Sequence, residues 1–169
     1  MKIVKILLIL LTFNFLISQK ILIPMDHQQT DHLKAYGVTY STLKKGGKVD
    51  WLINYRGGSF LLDASNAIKS KCLIRGVHYE MIDGNDLAEI FSVIESNNMD
   101  ILVLDTPAKI AVYSPPGKQP WDDAVTLALT YAEVQYDVIF DEEILKYSYK
   151  NFILRCVRVR VLFIEDLGF

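Results

Sequence analysis

The run Arg56-Gly57-Gly58-Ser59 holds the residue types from which an anion cradle is built. Two glycines let backbone amides come close to a bound oxyanion, an arginine can pair with it through its fork, and a serine can donate. The spacing is neither the G-x-x-x-x-G-K-[ST] of a phosphate loop nor the G-x-G-x-x-G of a dinucleotide fold, so a tight turn without a ligand is the competing reading. As a solvated turn residue or a ligand contact, Arg56 carries little stability, and its truncation is expected to cost no more than about 0.5 kcal/mol. A second polar stretch, Met25 to His32, contains Asp26, His27, Asp31 and His32. His27 with Asp31 or His32 has a superficial metal spacing, but only His78 remains elsewhere to complete a tetrahedral set, so no metal site is expected. Thr30 or Asp31 acting as a helix cap accounts for much of this polarity.

Covalent chemistry finds little support. His78 and Glu80 lie two residues apart in a strand-like run and share one face. A His-x-Glu pair serves a cysteine nucleophile in class I glutamine amidotransferases, and that nucleophile needs a glycine-flanked elbow directly after a strand. Cys72 is flanked by Lys71 and Leu73 inside a helical pattern, where it reads as a small buried hydrophobe. No G-x-S-x-G is present for a serine hydrolase. Cys72 and Cys156 are the only cysteines and have no spacing signature, which leaves their pairing open.

The elements that must position these groups alternate between apolar runs and amphipathic helices. The clearest unit spans Lys109 to Leu145: an apolar strand (Ile110 to Tyr113), a Pro-rich loop, a helix from Trp121 and a second strand (Val138 to Phe140). Trp121, Ala124, Val125, Ala128, Leu129 and Ala132 fall on one stripe, Pro120 suits the first turn, and Asp122 and Asp123 complement the helix dipole. Strand, helix, strand at this spacing is a βαβ unit with a parallel pair. Upstream, Lys20 to Pro24, Val49 to Tyr55, Val77 to Ile82 and Met99 to Leu104 read as strands, with a brief return at Phe60 to Leu62. Helices follow Thr30 or Asp31, Asp63, and Asp86, where Asp86 and Glu89 have the form of a capping box. Leu33, Tyr36, Gly37, Tyr40 and Leu43 form the inward stripe of the first helix. The alternation predicts an α/β sandwich with a mainly parallel sheet flanked by helices, flavodoxin-like or Rossmann-like. In such a sheet ligands gather beyond the carboxyl ends of the strands. That would bring together Asp26 and His27, Asn54 and Arg56, and Lys118, Trp121 and Asp122, with Asp141 following. The ligand-binding candidates are therefore Asp26, His27, Arg56, Gly57, Gly58, Ser59, Trp121 and Asp122; no catalytic residue is assigned.

Composition sets the outer bounds. The chain has 169 residues, about one domain, and is 51% hydrophobic. Part of that excess is the run from Ile6 to Ile17, broken only by Thr12 and Asn14 and preceded by Lys2 and Lys5. A basic start and a short apolar core define a secretory signal over residues 1–19, too short for a comfortable membrane span of about 20 apolar residues. Export to the periplasm or beyond is expected. Removing Met1 to Gln19 takes two lysines and no acid, which moves the formal charge from −2 to −4. A mildly acidic chain argues against nucleic acid or an anionic membrane as partner, with membrane contact only through the signal if it is retained. At the other end, Val157, Val159 and Val161 alternate with Arg158 and Arg160, as on a half-buried edge strand. Residues 20–146 are expected to form the α/β domain and 147–169 an atypical tail, a frameshifted or truncated end that leaves the sheet incomplete.

Taken as a set, K-I-L-I-P-M-D-H-Q-Q-T-D-H-L-K-A-Y-G, V-D-W-L-I-N-Y-R-G-G-S-F and K-I-A-V-Y-S-P with K-Q-P-W-D-D-A-V-T-L-A-L-T-Y-A-E resemble an exported family of Bacteroidota-type bacteria. Its members carry the name asparagine synthetase B, and the resemblance covers Lys20 to Leu145. It implies a signal peptide and a domain similar to the class I amidotransferase fold. The family pattern continues differently where this chain has Tyr147 to Phe169. Glutamine-dependent asparagine synthesis needs a cysteine directly after the initiator Met and an S-G-G-x-D-S pyrophosphate loop. This chain has Lys2, and Gly57-Gly58-Ser59 lacks the aspartate. Two functions follow as expectations: a non-catalytic binding or interaction module, and, as the alternative, a small-molecule-binding or hydrolytic envelope enzyme. The partner is then a small molecule or an envelope protein, and no cofactor is expected.

Overall fold

The computed structural model describes residues 19–114, 124–142, 155–156 and 161–164. Strand β1 (Lys20–Ile23) leads through helix α1 (His32–Lys44) to β2 (Val49–Ile53), and a short 3₁₀ turn (Tyr55–Gly57) reverses the chain into β3 (Ser59–Asp63). Helix α2 (Asn66–Arg75) then returns to β4 (Glu80–Ile82), and α3 (Gly84–Ser96) leads to β5 (Asp100–Leu104). These five strands form one sheet in the order β4-β1-β3-β2-β5, and every neighbouring pair is antiparallel. The first four strands and two helices make a βαββαβ unit of order 4-1-3-2, the split βαβ or ferredoxin-like arrangement. The remaining strands, β6 (Lys109–Tyr113), β7 (Asp137–Ile139), β8 (Arg155–Cys156) and β9 (Val161–Ile164), form a second sheet of order β7-β6-β9-β8, with helix α4 (Ala124–Ala132) between β6 and β7.

This corrects the mainly parallel, flavodoxin-like sheet expected from the sequence. The helical connections do make parallel partners, since β1 and β2 both run antiparallel to β3. But β3 slots between them. Ser59 to Leu62 are all buried, so this short stretch, read as a brief return, is the central strand of the sheet. Ile110–Tyr113 and Val138–Phe140, expected in the same sheet, fall in β6 and, up to Ile139, in β7 of the second one. There β6 and β7 pair in parallel across α4, as the βαβ spacing requires. The C-terminal stretch read as an edge strand contributes β9, which pairs antiparallel with β6 inside the second sheet, and β8, which forms its edge.

Both faces of the first sheet are covered, which explains strands that are apolar on both sides. On one face, Ile21, Ile23, Val49, Phe60 and Leu62 meet Ala35 and Val38 of α1 and Cys72 of α2. On the other, Leu22, Leu52 and Leu61 meet Ile90 and Ile94 of α3. Truncating any one of these fully buried aliphatics to alanine is a change of about 2–5 kcal/mol. The helix ends are set by local chemistry. Ser65 caps α2 through its side chain, Gly76 ends it at φ +67, and Asp83 with Asp86 forms a reciprocal capping box on α3. The box therefore sits three residues before the Asp86–Glu89 pair named from the sequence.

Candidate functional site

The polar candidates after β1 and β2 do come together, around Arg56. Its backbone lies in the left-handed region (φ 44, ψ 50), which turns the guanidinium back over the loop that follows β1. Nε donates to Asp26 Oδ2 at 2.7 Å, and the terminal nitrogens fork onto Glu80, Nη1 to Oε2 at 2.8 Å and Nη2 to Oε1 at 2.9 Å. Nη2 also reaches Gln28 Oε1 at 3.2 Å. The Arg56 hydrogen bond holds the carboxyls of both Asp26 and Glu80 below their ordinary range against the opposing effect of burial. The bidentate bond to Glu80 in turn raises the guanidinium further. One cation is thus shared by two carboxylates, and its donors are spent on the protein itself.

The glycines serve the same turn. Met25 N donates to Arg56 O at 3.1 Å, and Gly57 lies so near that a Cβ there would collide with the Met25 carbonyl. Gly58, at φ +89, donates its amide to Tyr55 O at 3.0 Å and accepts the Trp51 indole N–H at 3.1 Å. Ser59 Oγ donates to Tyr55 O and Arg56 O. The groups that would cradle an anion are therefore turned onto neighbouring backbone. Buried Gln29 ties the same loop to the start of β4, donating to Pro24 O and His78 O and accepting from His78 N. His32 Nε2 stands 3.1 Å from Met25 O, while His27 is exposed. His78 Nε2 lies 3.6 Å from Glu80 Oε1, on the shared face read from the sequence, although the strand begins only at Glu80. Asp141 belongs elsewhere and accepts from the Tyr113 hydroxyl at 2.6 Å. Lys118, Trp121 and Asp122 lie outside the described residues, as do residues 1–18 of the signal segment. Among the described residues, no group of three or more His, Cys, Asp and Glu side chains is placed to hold a metal ion. Cys72 is free and buried, and burial pushes its thiol up to about 11, so it is a poor nucleophile at neutral pH.

A large concavity lies away from these charges. A groove of about 770 Å³ runs between α1, the open end of the first sheet and α4. Its floor is aromatic: Trp51 stacks on Phe60 (6.4 Å, 26°), and Tyr36 meets Phe60 edge-on (5.6 Å, 71°). One wall is Leu33, Tyr40 and Leu43 of α1; the other is Ala124, Val125, Ala128 and Leu129 of α4. Among the described residues, no charged side chain lines it. The two helix stripes read from the sequence as core-facing therefore face each other across this groove. Helix α1 carries a second apolar face, Ala35 and Val38, and that one is packed on the sheet; Leu33 and Tyr36 are about half exposed.

The wall formed by α4 is fixed at its C-terminal end. Gly37 of α1 touches Ala132 so closely that a Cβ would collide with the Ala132 carbonyl. The Tyr131 hydroxyl donates to Asp31, and Lys34 Nζ lies 4.9 Å from the Tyr131 ring centroid. Burial works against ionisation of Asp31, yet Tyr131 and Lys34 together hold its carboxyl below the usual range. From α2, Arg75 Nη2 donates to Tyr131 O at 2.9 Å, Arg75 Nη1 pairs with Glu133, and Lys71 Nζ lies 3.6 Å from the same carboxylate. Neither Glu133 nor Arg75 stands out in the sequence; only the topology brings α2 against the end of α4. Compared with protein-family models, curated proteins and solved structures, the chain matches none.

Proposed function

We propose that this chain is a non-catalytic binding module of the cell envelope whose ligand site is the apolar groove between α1 and α4. The observation that carries the reading is the groove itself: about 770 Å³, within the range of small-molecule sites, and walled by uncharged side chains over an aromatic floor. Such a surface takes an uncharged apolar group and excludes a charged one, which would lose its hydration without gaining a partner. Two further observations support binding over catalysis. The Arg56 cation is already shared by Asp26 and Glu80, and the Cys72 thiol is buried and protonated. The apolar run beginning at Ile6 supports placement in the envelope. Titration with the neutral fluorophore N-phenyl-1-naphthylamine tests the site. Saturable uptake by the wild type, weakened about tenfold or more in Ala128→Phe, is expected. Equal uptake by both proteins, or none by the wild type, overturns it.

A further inference from the structure

We propose that the outer edge of β5 is a docking surface for a second copy of this chain, whether or not the groove holds a ligand. The second copy adds its own β5 antiparallel, which joins the two first sheets into one. Strand β5 ends the sheet on one side and pairs only with β2. Ile101 N donates to Asp100 Oδ1 at 2.7 Å, so this amide points away from β2. Ala64 N donates to Gln19 O across β3 and β1, and alternation carried through β3 and β2 gives β5 the same parity. In an antiparallel strand the N–H and C=O of one residue point to the same side, and successive residues alternate. Ile101 and Val103 therefore turn both backbone groups outward. Apart from the Asp100 contact, these groups have no partner among the described residues.

Natural sheets blunt an open edge with a short strand, a charge, a proline or a bulge. The opposite edge does so: β4 is three residues long and carries Glu80, which is tied to Arg56. Strand β5 has five residues in unbroken register with β2, and its one charged residue, Asp100, stands at the end. Leu102 and Val103 are 46% and 58% exposed. A second copy fits because this edge is complementary to itself. A two-fold antiparallel pair opposes residues that share a face, so the axis falls on a residue and not between two. Centred on Leu102, it pairs the whole strand: Leu102 with its counterpart, Ile101 with Val103 and Asp100 with Leu104. Centring on Ile101 or Val103 leaves part of β5 overhanging and sets Asp100 against Leu102 or Asp105 against Ile101. In the Leu102 register, Ile101 and Val103 exchange both backbone bonds, and the two Leu102 residues meet at the close, non-hydrogen-bonded approach of about 4.5 Å between Cα atoms. Each exposed apolar side chain is then covered by the other strand, and the two Asp100 carboxylates stand at opposite ends. Leu102 shares the face of Trp51 and Phe60, so the pairing sets both grooves on one face of a sheet twice as wide.

Light scattering and cysteine cross-linking, both on the full chain, test this. An interface of one strand pair is small, so a reversible dimer is expected, with twice the mass of one chain at about 0.5 mM and a single mass at about 5 µM. Val103→Lys changes an exposed site and should weaken the dimer about tenfold or more while the fold persists. In a Cys156→Ser background with diamide as oxidant, Leu102→Cys should form a cross-linked dimer. Asp100→Cys lies roughly 14 Å from its own counterpart in this register, beyond the reach of a disulfide, and should not. A wild type that is monomeric at the higher concentration overturns the second copy as occupant and leaves the edge to a strand of another protein. A dimer as tight in Val103→Lys as in the wild type, or equal cross-linking of the two cysteine variants, overturns the β5 edge as the interface.

Discussion

Among the described residues, two charged ones occupy the left-handed backbone region, Arg56 at φ 44 and Glu133 at φ 58, and each faces two opposite charges. They differ in what the charges join. Arg56 sits within one sheet, its fork filled by Glu80 and its Nε by Asp26, with all three side chains about one-quarter to one-third exposed. Glu133 joins α4 to α2, and its carboxylate stands mostly in water. A bidentate, part-buried pair whose donor nitrogens are all hydrogen-bonded gives a fixed joint; a mostly solvated contact between two elements gives one that solution conditions can loosen. The same backbone strain therefore serves rigidity in one place and adjustability in the other.

The largest expected effect breaks the first joint. Arg56→Ala leaves Asp26 and Glu80 as part-buried carboxylates without their cation, and should cost about 3 kcal/mol in urea unfolding. That is well above the 0.5 kcal/mol expected of a solvated turn residue. Gly57→Ala should cost about 2 kcal/mol, because the new Cβ meets the Met25 carbonyl and the backbone needs φ +81. Acid sharpens the contrast. Asp26 and Glu80 have folded values depressed below 3.8 and 4.5, so the unfolded chain binds more protons as pH falls. Their contribution is fully present above the unfolded values and is lost as pH drops through the folded ones. A stability–pH series in Arg56→Ala should lack that loss. The second joint gives smaller numbers. Glu133→Gln should cost about 1 kcal/mol, limited by solvent around the carboxylate. Glu133→Gly should stay within about 0.5 kcal/mol of wild type, since backbone relief offsets the lost ion pairs. Thermal or urea unfolding checks both.

Most elements were legible in the residues, because apolar period and turn chemistry are local. Lys20–Ile23 and Val49–Ile53 fall where the sequence puts strands. Strand pairing was not legible, and one stretch explains why. Two apolar runs joined by Arg56-Gly57-Gly58-Ser59 have the form of a hairpin. Reading Phe60 to Leu62 as incidental removed the strand that separates β1 from β2. Strands apolar on both faces then imitated a parallel sheet, although here α3 covers the second face. The candidate site divided in a similar way. Asp26, Arg56 and the glycines were found as a cluster, but that Arg56 meets Glu80 depends on β4 lying beside β1, information that no local spacing holds. The groove was present in the sequence as two apolar stripes. That they face one another needed the α1–α4 packing.

The indole of Trp51 belongs to both halves of the comparison. Its N–H is committed to Gly58 O in the Arg56 turn, and its ring stacks on Phe60 at the floor of the groove. The chain has one other tryptophan, Trp121, so a Trp121→Phe protein carries a single intrinsic fluorophore at this junction. Emission from that indole shifts to the blue when apolar matter displaces water from the floor, and to the red when the turn lets go of the N–H. One spectrum then distinguishes an occupied site from a broken joint without any added label.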